Sequence, residues 1–111
     1  MIQITSIEHL LVICHLPAYP GRGSACYLHR RFFPPGLWQR LRALPFFSTE
    51  SISYTLNSRE DSEAGQIFGK MQREAFSDYL FSADLQRTYL LELMHLLMKV
   101  HQERQEHCTG L

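Results

Sequence analysis

Residues 82–105 constrain this chain most, because their pattern predicts one long helix with apolar residues on more than one side. Ser82 stands at an N-cap position, Asp84 lies in the first turn, and no proline or glycine follows before Gly110. The polar residues recur at helical spacing as one narrow stripe: Thr88, Glu92, His95, Lys99 and Gln102. An ordinary surface helix buries a single apolar stripe. This segment must therefore lie deep in a core or share its second face with another chain.

Length and composition describe one globular domain without a strong charge preference. The chain has 111 residues, 45% of them hydrophobic and 20% charged, with a formal net charge of zero. Residues 1–57 hold five arginines against two glutamates, a net of +3, and residues 58–111 hold six bases against nine acids, a net of −3. Neither half has the dense basic patch of a nucleic-acid surface, so we expect no direct nucleic-acid binding.

Cysteine usage and targeting patterns indicate a cytoplasmic protein. Cys14, Cys26 and Cys108 are odd in number and irregular in spacing, which fits free thiols in a reducing compartment. Residues 10–16 are apolar but too short to cross a bilayer. The start of the chain lacks the basic residues and long apolar run of a signal peptide. We therefore expect no membrane association.

The first half has the patterns of short strands. Residues 2–5 alternate between apolar and polar, and residues 10–14 form an apolar run typical of a strand buried on both faces. A short helix over residues 7–15 is the open alternative. Residues 17–24 contain two prolines and two glycines and predict a loop.

Two further strands and a short helix follow. Residues 25–33 are rich in aromatic side chains and residues 51–56 alternate, and both patterns predict strands. Residues 37–44 predict an amphipathic helix that Pro45 ends. An aromatic pair, Phe46 and Phe47, follows that helix.

The second half predicts a helical hairpin. Asn57 or Ser58 starts a helix that continues to about residue 76, and Ser58, with Asp61 three residues later, resembles a capping box. A turn at 76–81 leads into the long helix. The fold class is α+β, with a few short strands and a short helix packed on a two-helix antiparallel hairpin. We expect a single domain, 1–111, made of a strand-containing half, 1–57, a hairpin, 58–105, and a frayed tail, 106–111.

Candidate chemistry is sparse. Cys14 with His15 and Cys26 with His29 offer the four ligands that tetrahedral zinc takes. Adjacent side chains seldom converge on one ion, so buried cysteines and surface histidines are the favoured interpretation. No catalytic motif occurs, and we expect neither enzymatic activity nor a cofactor.

Arginines cluster among aromatic residues in the first half. The cluster comprises Arg30, Arg31, Arg40 and Arg42 beside Phe32, Phe33 and Trp38. Such a group could contact nucleic acid or an anionic ligand, but four arginines are few. A solvated edge is the favoured interpretation.

The apolar excess of residues 82–105 is the most informative feature. Burying each large side chain contributes about 1.5–3 kcal/mol, and the preceding helix covers one side only. The other side packs on the first half of the chain or on the same helix of a second copy. We expect a homodimer, with a monomer as the alternative. The expected interface residues are Leu90, Met94, Leu97 and Met98.

The order of segments over residues 25–102 resembles a known family. The strand CYLHRRFF leads to LWQRLRAL, PFF and ISYTLN, and AGQIFGKMQREA and YLLELMHLLMKV follow. This order resembles the last part of the N-terminal regulatory domain of AraC/XylS-type transcription regulators. In that family a cupin-like barrel binds an effector, and a helical pair that often dimerises follows it. A separate C-terminal domain carries two helix-turn-helix motifs.

The resemblance implies a regulatory and dimerisation module that acts through its C-terminal helices and lacks the DNA-binding domain. Residues 1–33 supply too few strands for a cupin barrel, so effector binding is not carried over and the effector is unknown. Two alternatives stay open: a stand-alone protein-interaction module and a small zinc-stabilised domain.

Overall fold

The computed structural model describes residues 1–7, 10–17, 23–44 and 51–109, with backbone alone for Ile7 and residues 105–109. Within these residues the elements are the strands β1 (Ile2–Ile7), β2 (Leu10–His15), β3 (Ser24–His29) and β4 (Ser51–Tyr54) and the helices α1 (Pro35–Arg42), α2 (Ser58–Ala75) and α3 (Ser82–Thr109). The α+β class predicted from the sequence is confirmed. The chain falls into two compact units, unit 1 (Met1–Thr55) and unit 2 (Leu56–Leu111). That they form a single domain stays a prediction.

Unit 1 contains a four-stranded antiparallel sheet in the order β3–β2–β1–β4. Ile4 of β1 lies opposite Ile13 of β2 and Ile52 of β4, and residues that face each other in this way share a side of the sheet. In this register, six buried side chains lie on the same face of the sheet: Ile2, Ile4, Leu11, Ile13, Leu28 and Tyr54. The other face carries the exposed ring of Tyr27, so the sheet buries one side only.

Two strand predictions need correction. The segment 10–14 belongs to a strand, as predicted, but buried and half-buried residues alternate along β2, so burial on both faces was wrong. The strand predicted over residues 25–33 ends at His29, where a 3-10 turn begins (Arg30–Phe32). His29 Nδ1 accepts a hydrogen bond from the Arg31 N–H at 3.1 Å, and this local bond competes with pairing to a neighbouring strand.

Helix α1 begins two residues earlier than predicted. Pro35 occupies its first position, where a missing N–H costs nothing and the fixed φ favours the helix. Trp38 and Leu41 are buried and the polar side is exposed, as the amphipathic pattern predicted. The Phe33 ring lies 5.4 Å from the Trp38 ring. The aromatic pair at 46–47 and most of the 17–24 loop lie outside the described residues.

Helix α2 begins with a capping box placed one residue before the predicted one. The Asn57 side chain accepts from the Glu60 N–H at 2.8 Å, and the Glu60 carboxylate accepts from the Asn57 N–H at 2.9 Å. The side chain of glutamate is long enough to reach back to the cap residue, which completes the reciprocal pair. The cap is therefore Asn57, one of the two predicted starts, and the predicted box of Ser58 and Asp61 was wrong by one position.

Helices α2 and α3 form an antiparallel hairpin in unit 2. Glu60 in the first turn of α2 binds Arg104 near the end of α3, and Lys70 lies 3.8 Å from Glu92 between them. The buried side chains are Ala64, Ile67 and Phe68 of α2 and Leu90, Leu93, Met94, Leu96, Leu97 and Val100 of α3. The five residues of the predicted polar stripe on α3 are all exposed. Helix α3 continues through Thr109, and the expected fraying of residues 106–111 stays a prediction.

No helix among the described residues combines the length and the apolar character needed to cross a bilayer.

Candidate functional site: an apolar turn

The turn between α2 and α3 exposes four large apolar side chains. Phe76 and Leu80 are 90% and 85% exposed, and Tyr79 and Phe81 are 53% and 54% exposed. We call these four residues the apolar turn. At roughly 200 Å² for each fully exposed side chain, they offer on the order of 500 Å², as much as the largest apolar patch of a typical monomer. Patches of this size are often functional.

Hydrogen bonds fix the backbone of the apolar turn. The N–H groups of Phe76 and Ser77 donate to the last carbonyls of α2, at 3.3 and 3.0 Å. The Tyr79 N–H donates to Ser77 Oγ at 3.0 Å, and the Ser82 N–H donates to the Tyr79 carbonyl at 3.1 Å. The exposed side chains therefore stand on a closed, internally bonded turn.

Ser82 closes the turn instead of capping α3 in the predicted way. Its hydroxyl donates to the Glu74 carbonyl at the end of α2 at 3.0 Å, and its oxygen accepts from Gln86 Nε2 at 3.4 Å. No local sequence pattern predicts this cross-turn bond, because it depends on how closely the two helix ends approach. The bond ties the first residue of α3 to the last turn of α2.

The aromatic rings of the apolar turn have a defined arrangement. The Tyr79 and Phe81 rings meet edge to face, with centroids 5.9 Å apart and an interplanar angle of 73°. Such pairs contribute about 0.5–1.5 kcal/mol beyond area burial, so the two rings hold each other in place while exposed. A preordered aromatic pair loses little conformational freedom when a partner covers it.

Charges around the turn are close to balanced. Residues 73–87 hold two arginines against one glutamate and two aspartates, a net of −1. Arg87 and Asp84 already pair with each other at 2.8 Å. The surroundings of the turn therefore lack the basic excess that favours an anionic membrane surface or nucleic acid.

The predicted interface residues have a different location. Leu90, Met94 and Leu97 are buried in the single chain, and Met98 is half-buried. The first three therefore present no exposed surface to a second copy in this structure. Their participation in a dimer stays a prediction. The apolar turn was missed because residues 76–81 were treated as a connection. The available signal was four large apolar residues in a six-residue turn without glycine or proline.

The zinc candidates do not converge. Along a strand successive side chains point to opposite faces, so Cys14 and His15 diverge, and Cys26 lies on the opposite face from His29. No group of three or more potential metal ligands occurs among the described residues. Burial raises the pKa of the Cys26 thiol to about 11, which is typical of an inert structural cysteine. The four candidate ligands named for the zinc-stabilised alternative therefore do not meet at one site.

No family model, curated protein or solved structure matches this chain.

Proposed function

We propose that this chain is a dimerisation module that acts through its C-terminal helical hairpin, with the apolar turn at the centre of the contact between two copies. The observation that carries the proposal is the exposure of Phe76, Tyr79, Leu80 and Phe81 on a hydrogen-bonded turn. Water-exposed aromatic and aliphatic residues on an ordered backbone cost solubility, and covering them stabilises an assembly.

The size of the apolar turn fits the centre of a dimer interface. A standard interface buries about 800 Å² per partner, and its fully buried core is richer in apolar area than its rim. The apolar turn supplies on the order of 500 Å² of this, and the polar ends of α2 and α3 supply a rim. The apolar turn places three aromatic residues and one leucine there, and aromatic residues such as tyrosine are among those that provide most of the binding energy in such cores.

A second copy is the partner that the charges favour. In a two-fold dimer the same patch faces itself, so a patch with a large charge of one sign repels its copy. The net of −1 over residues 73–87, with one arginine–aspartate pair already formed, avoids that repulsion. This contact also leaves Leu90, Met94 and Leu97 in the core of each copy.

A dimerising hairpin agrees with the resemblance to AraC/XylS-type regulators, and we extend the proposal to a regulatory module of that kind in the cytoplasm. The described cysteines Cys14 and Cys26 are free thiols, which a reducing compartment preserves. Sequencing the gene region downstream tests the regulatory part. A pair of helix-turn-helix motifs there supports it, and a downstream region without them contradicts it.

Sedimentation velocity over a wide protein concentration range tests the dimer. We expect the unchanged protein to sediment as a dimer that dissociates on dilution. The double variant Phe76→Ser with Leu80→Ser is expected to be monomeric throughout and to keep its far-UV circular dichroism, because both side chains are exposed.

Leu91→Ser is the matched control. Leu91 is an exposed leucine on α3, outside the apolar turn, so this variant is expected to dimerise like the unchanged protein. A protein that stays monomeric at the highest concentration overturns the proposal. Equal weakening of the dimer by Leu91→Ser and by the turn variant overturns the assignment of the contact to the turn.

A further inference from the structure

A pocket in unit 1 lies where β3 ends. It has a volume of about 410 Å³, and its described lining residues are His29, Arg30, Arg31, Phe33 and Pro35. Pockets for small molecules range from roughly 300 to 1,000 Å³ and combine apolar walls with a few polar groups. This pocket has both kinds of lining within seven consecutive residues.

The polar lining consists entirely of hydrogen-bond donors and a histidine with a fixed tautomer. Arg30 and Arg31 are exposed and carry planar guanidinium groups that bind phosphate or carboxylate in a bidentate manner. His29 Nδ1 accepts from the Arg31 N–H, so in the neutral ring the proton is on Nε2, which is a donor. His29, which precedes the 3-10 turn, and Arg30 and Arg31 within it thus line the pocket with three donor side chains.

These cations have no carboxylate neighbours in the described part of unit 1. Residues 1–7, 10–17, 23–44 and 51–55 contain no aspartate or glutamate, and the acids of this half, Glu8 and Glu50, lie outside the described residues. Two adjacent arginines repel each other, and an anion between them removes that repulsion. The arrangement therefore attracts an anion from solution.

The apolar lining is rigid. Phe33 is almost fully buried, meets the Phe32 ring edge to face at 5.3 Å and lies against Trp38. Pro35 is the first residue of α1, whose positive helix end adds to the field of the arginines. The lining thus combines residues that suit an apolar group with residues that suit a negative charge.

We propose that this pocket binds a small organic oxyanion, a phosphate or carboxylate joined to an apolar body. The charged end lies between Arg30 and Arg31 with His29 Nε2 as a further donor, and the apolar body contacts Phe33 and Pro35. The proposal is independent of dimerisation, because the residues that carry it belong to unit 1.

Isothermal titration of the 111-residue chain tests the pocket with four probes: phenyl phosphate, benzoate, inorganic phosphate and uncharged benzyl alcohol. We expect saturable binding of phenyl phosphate, benzoate or both, tighter than inorganic phosphate and absent for benzyl alcohol. A preference between the first two identifies which oxyanion the pocket selects. Binding is expected to weaken with added salt, because the contact is an ion pair with exposed cations.

Matched arginine variants locate the site. Arg31→Gln is expected to weaken binding about tenfold or more, since it removes one charge-assisted bidentate contact. Arg40→Gln makes the same charge change on the exposed side of α1, away from the described pocket lining, and is expected to leave binding unchanged. Equal effects of the two variants, or no saturable binding by either oxyanion probe, overturn the proposal. Equal affinity for inorganic and phenyl phosphate contradicts the role of the apolar wall.

Discussion

Glu60 Oε1 lies 2.9 Å from Arg104 Nη2, although 44 residues separate the two in sequence. The same oxygen accepts the Asn57 N–H at 2.9 Å, so one nearly buried carboxylate completes the capping box of α2 and binds α3. The first turn of α2 and the last turns of α3 are joined at this atom. The hairpin is therefore fastened at its open end by Glu60 and at its closed end by the hydrogen bonds of the apolar turn.

Stability is expected to fall in acid because of Glu60. Burial raises the pKa of Glu60, but the hydrogen bond from the Asn57 N–H and the Arg104 guanidinium together lower it by more. The pKa of Glu60 therefore lies below its ordinary value. The resulting stability is fully present above the unfolded-state pKa of about 4.3 and is lost as pH falls through the lower folded-state pKa. We expect the urea midpoint to drop in this range, and the drop to be smaller in Glu60→Gln.

Glu63→Gln is the control for this titration. Glu63 pairs with Arg59 on the exposed side of the same helix, where ion pairs contribute about 0–1 kcal/mol. Its acid profile is expected to follow that of the unchanged protein. If Glu60→Gln lost stability in acid just as the unchanged protein does, the carboxylate of Glu60 would not link pH to folding.

The capping box shows how far local sequence rules reach. The start of α2 was predictable to within one residue, because Asn57, Ser58, Glu60 and Asp61 all favour a helix N-terminus. The Glu60 carboxylate that completes the box also binds Arg104, near the far end of α3, at 2.9 Å. A contact over 44 residues leaves no trace in a local pattern.

The β half and the turn show the same limit. Alternation at residues 51–54 and apolar content at 10–14 predicted strands, because both are properties of short segments. The end of β3 at His29 was not predictable, because the aromatic residues 32–33 have strand propensity. The hydrogen bond from the Arg31 N–H to His29 Nδ1 favours a turn there instead. The exposure of the apolar turn was missed because apolar residues are expected inside, and sequence alone does not say which of them stay outside.

Leu97 tests whether the apolar excess of α3 is core or interface. Its side chain is fully buried, so Leu97→Ala is expected to lower the free energy of unfolding by about 2–5 kcal/mol in urea titrations. Leu97→Glu is expected to unfold the protein, because it buries a charge without a partner.

Leu91→Ala provides the comparison for Leu97, with an expected change within about 0.5 kcal/mol at an exposed position of the same helix. If Leu97→Glu were folded and monomeric, we would assign the Leu97 face of α3 to an interface between copies and not to the core. That result would restore the contact first expected from the sequence.

Cys26 is expected to resist alkylation in the folded protein. Because burial raises the pKa of its thiol to about 11, the reactive thiolate is about one part in a thousand at pH 8. A free cysteine with a pKa near 8.5 is about one quarter thiolate at that pH, so labelling by iodoacetamide should be about two orders of magnitude slower. Peptide mass spectrometry after timed quenching measures the rate, and labelling in urea gives the unfolded reference. Equal rates in both conditions would contradict the raised pKa of the half-buried Cys26 thiol.

Ser82 is expected to control the order of the apolar turn more than the stability of the helices. Ser82→Ala removes the hydroxyl that donates to the Glu74 carbonyl, at a cost of about 0.5–1.5 kcal/mol. Amide hydrogen exchange should accelerate at Ser82, whose N–H bonds to Tyr79 across the turn, while the amides at the centre of α3 keep their protection.

If the turn forms the dimer contact, the same variant should weaken dimerisation, since a looser turn loses more conformational freedom on association. Ser62→Ala, at an exposed position inside α2, should change neither exchange at the turn nor dimerisation. Unchanged exchange at residue 82 in Ser82→Ala would show that the backbone bonds alone hold the turn closed.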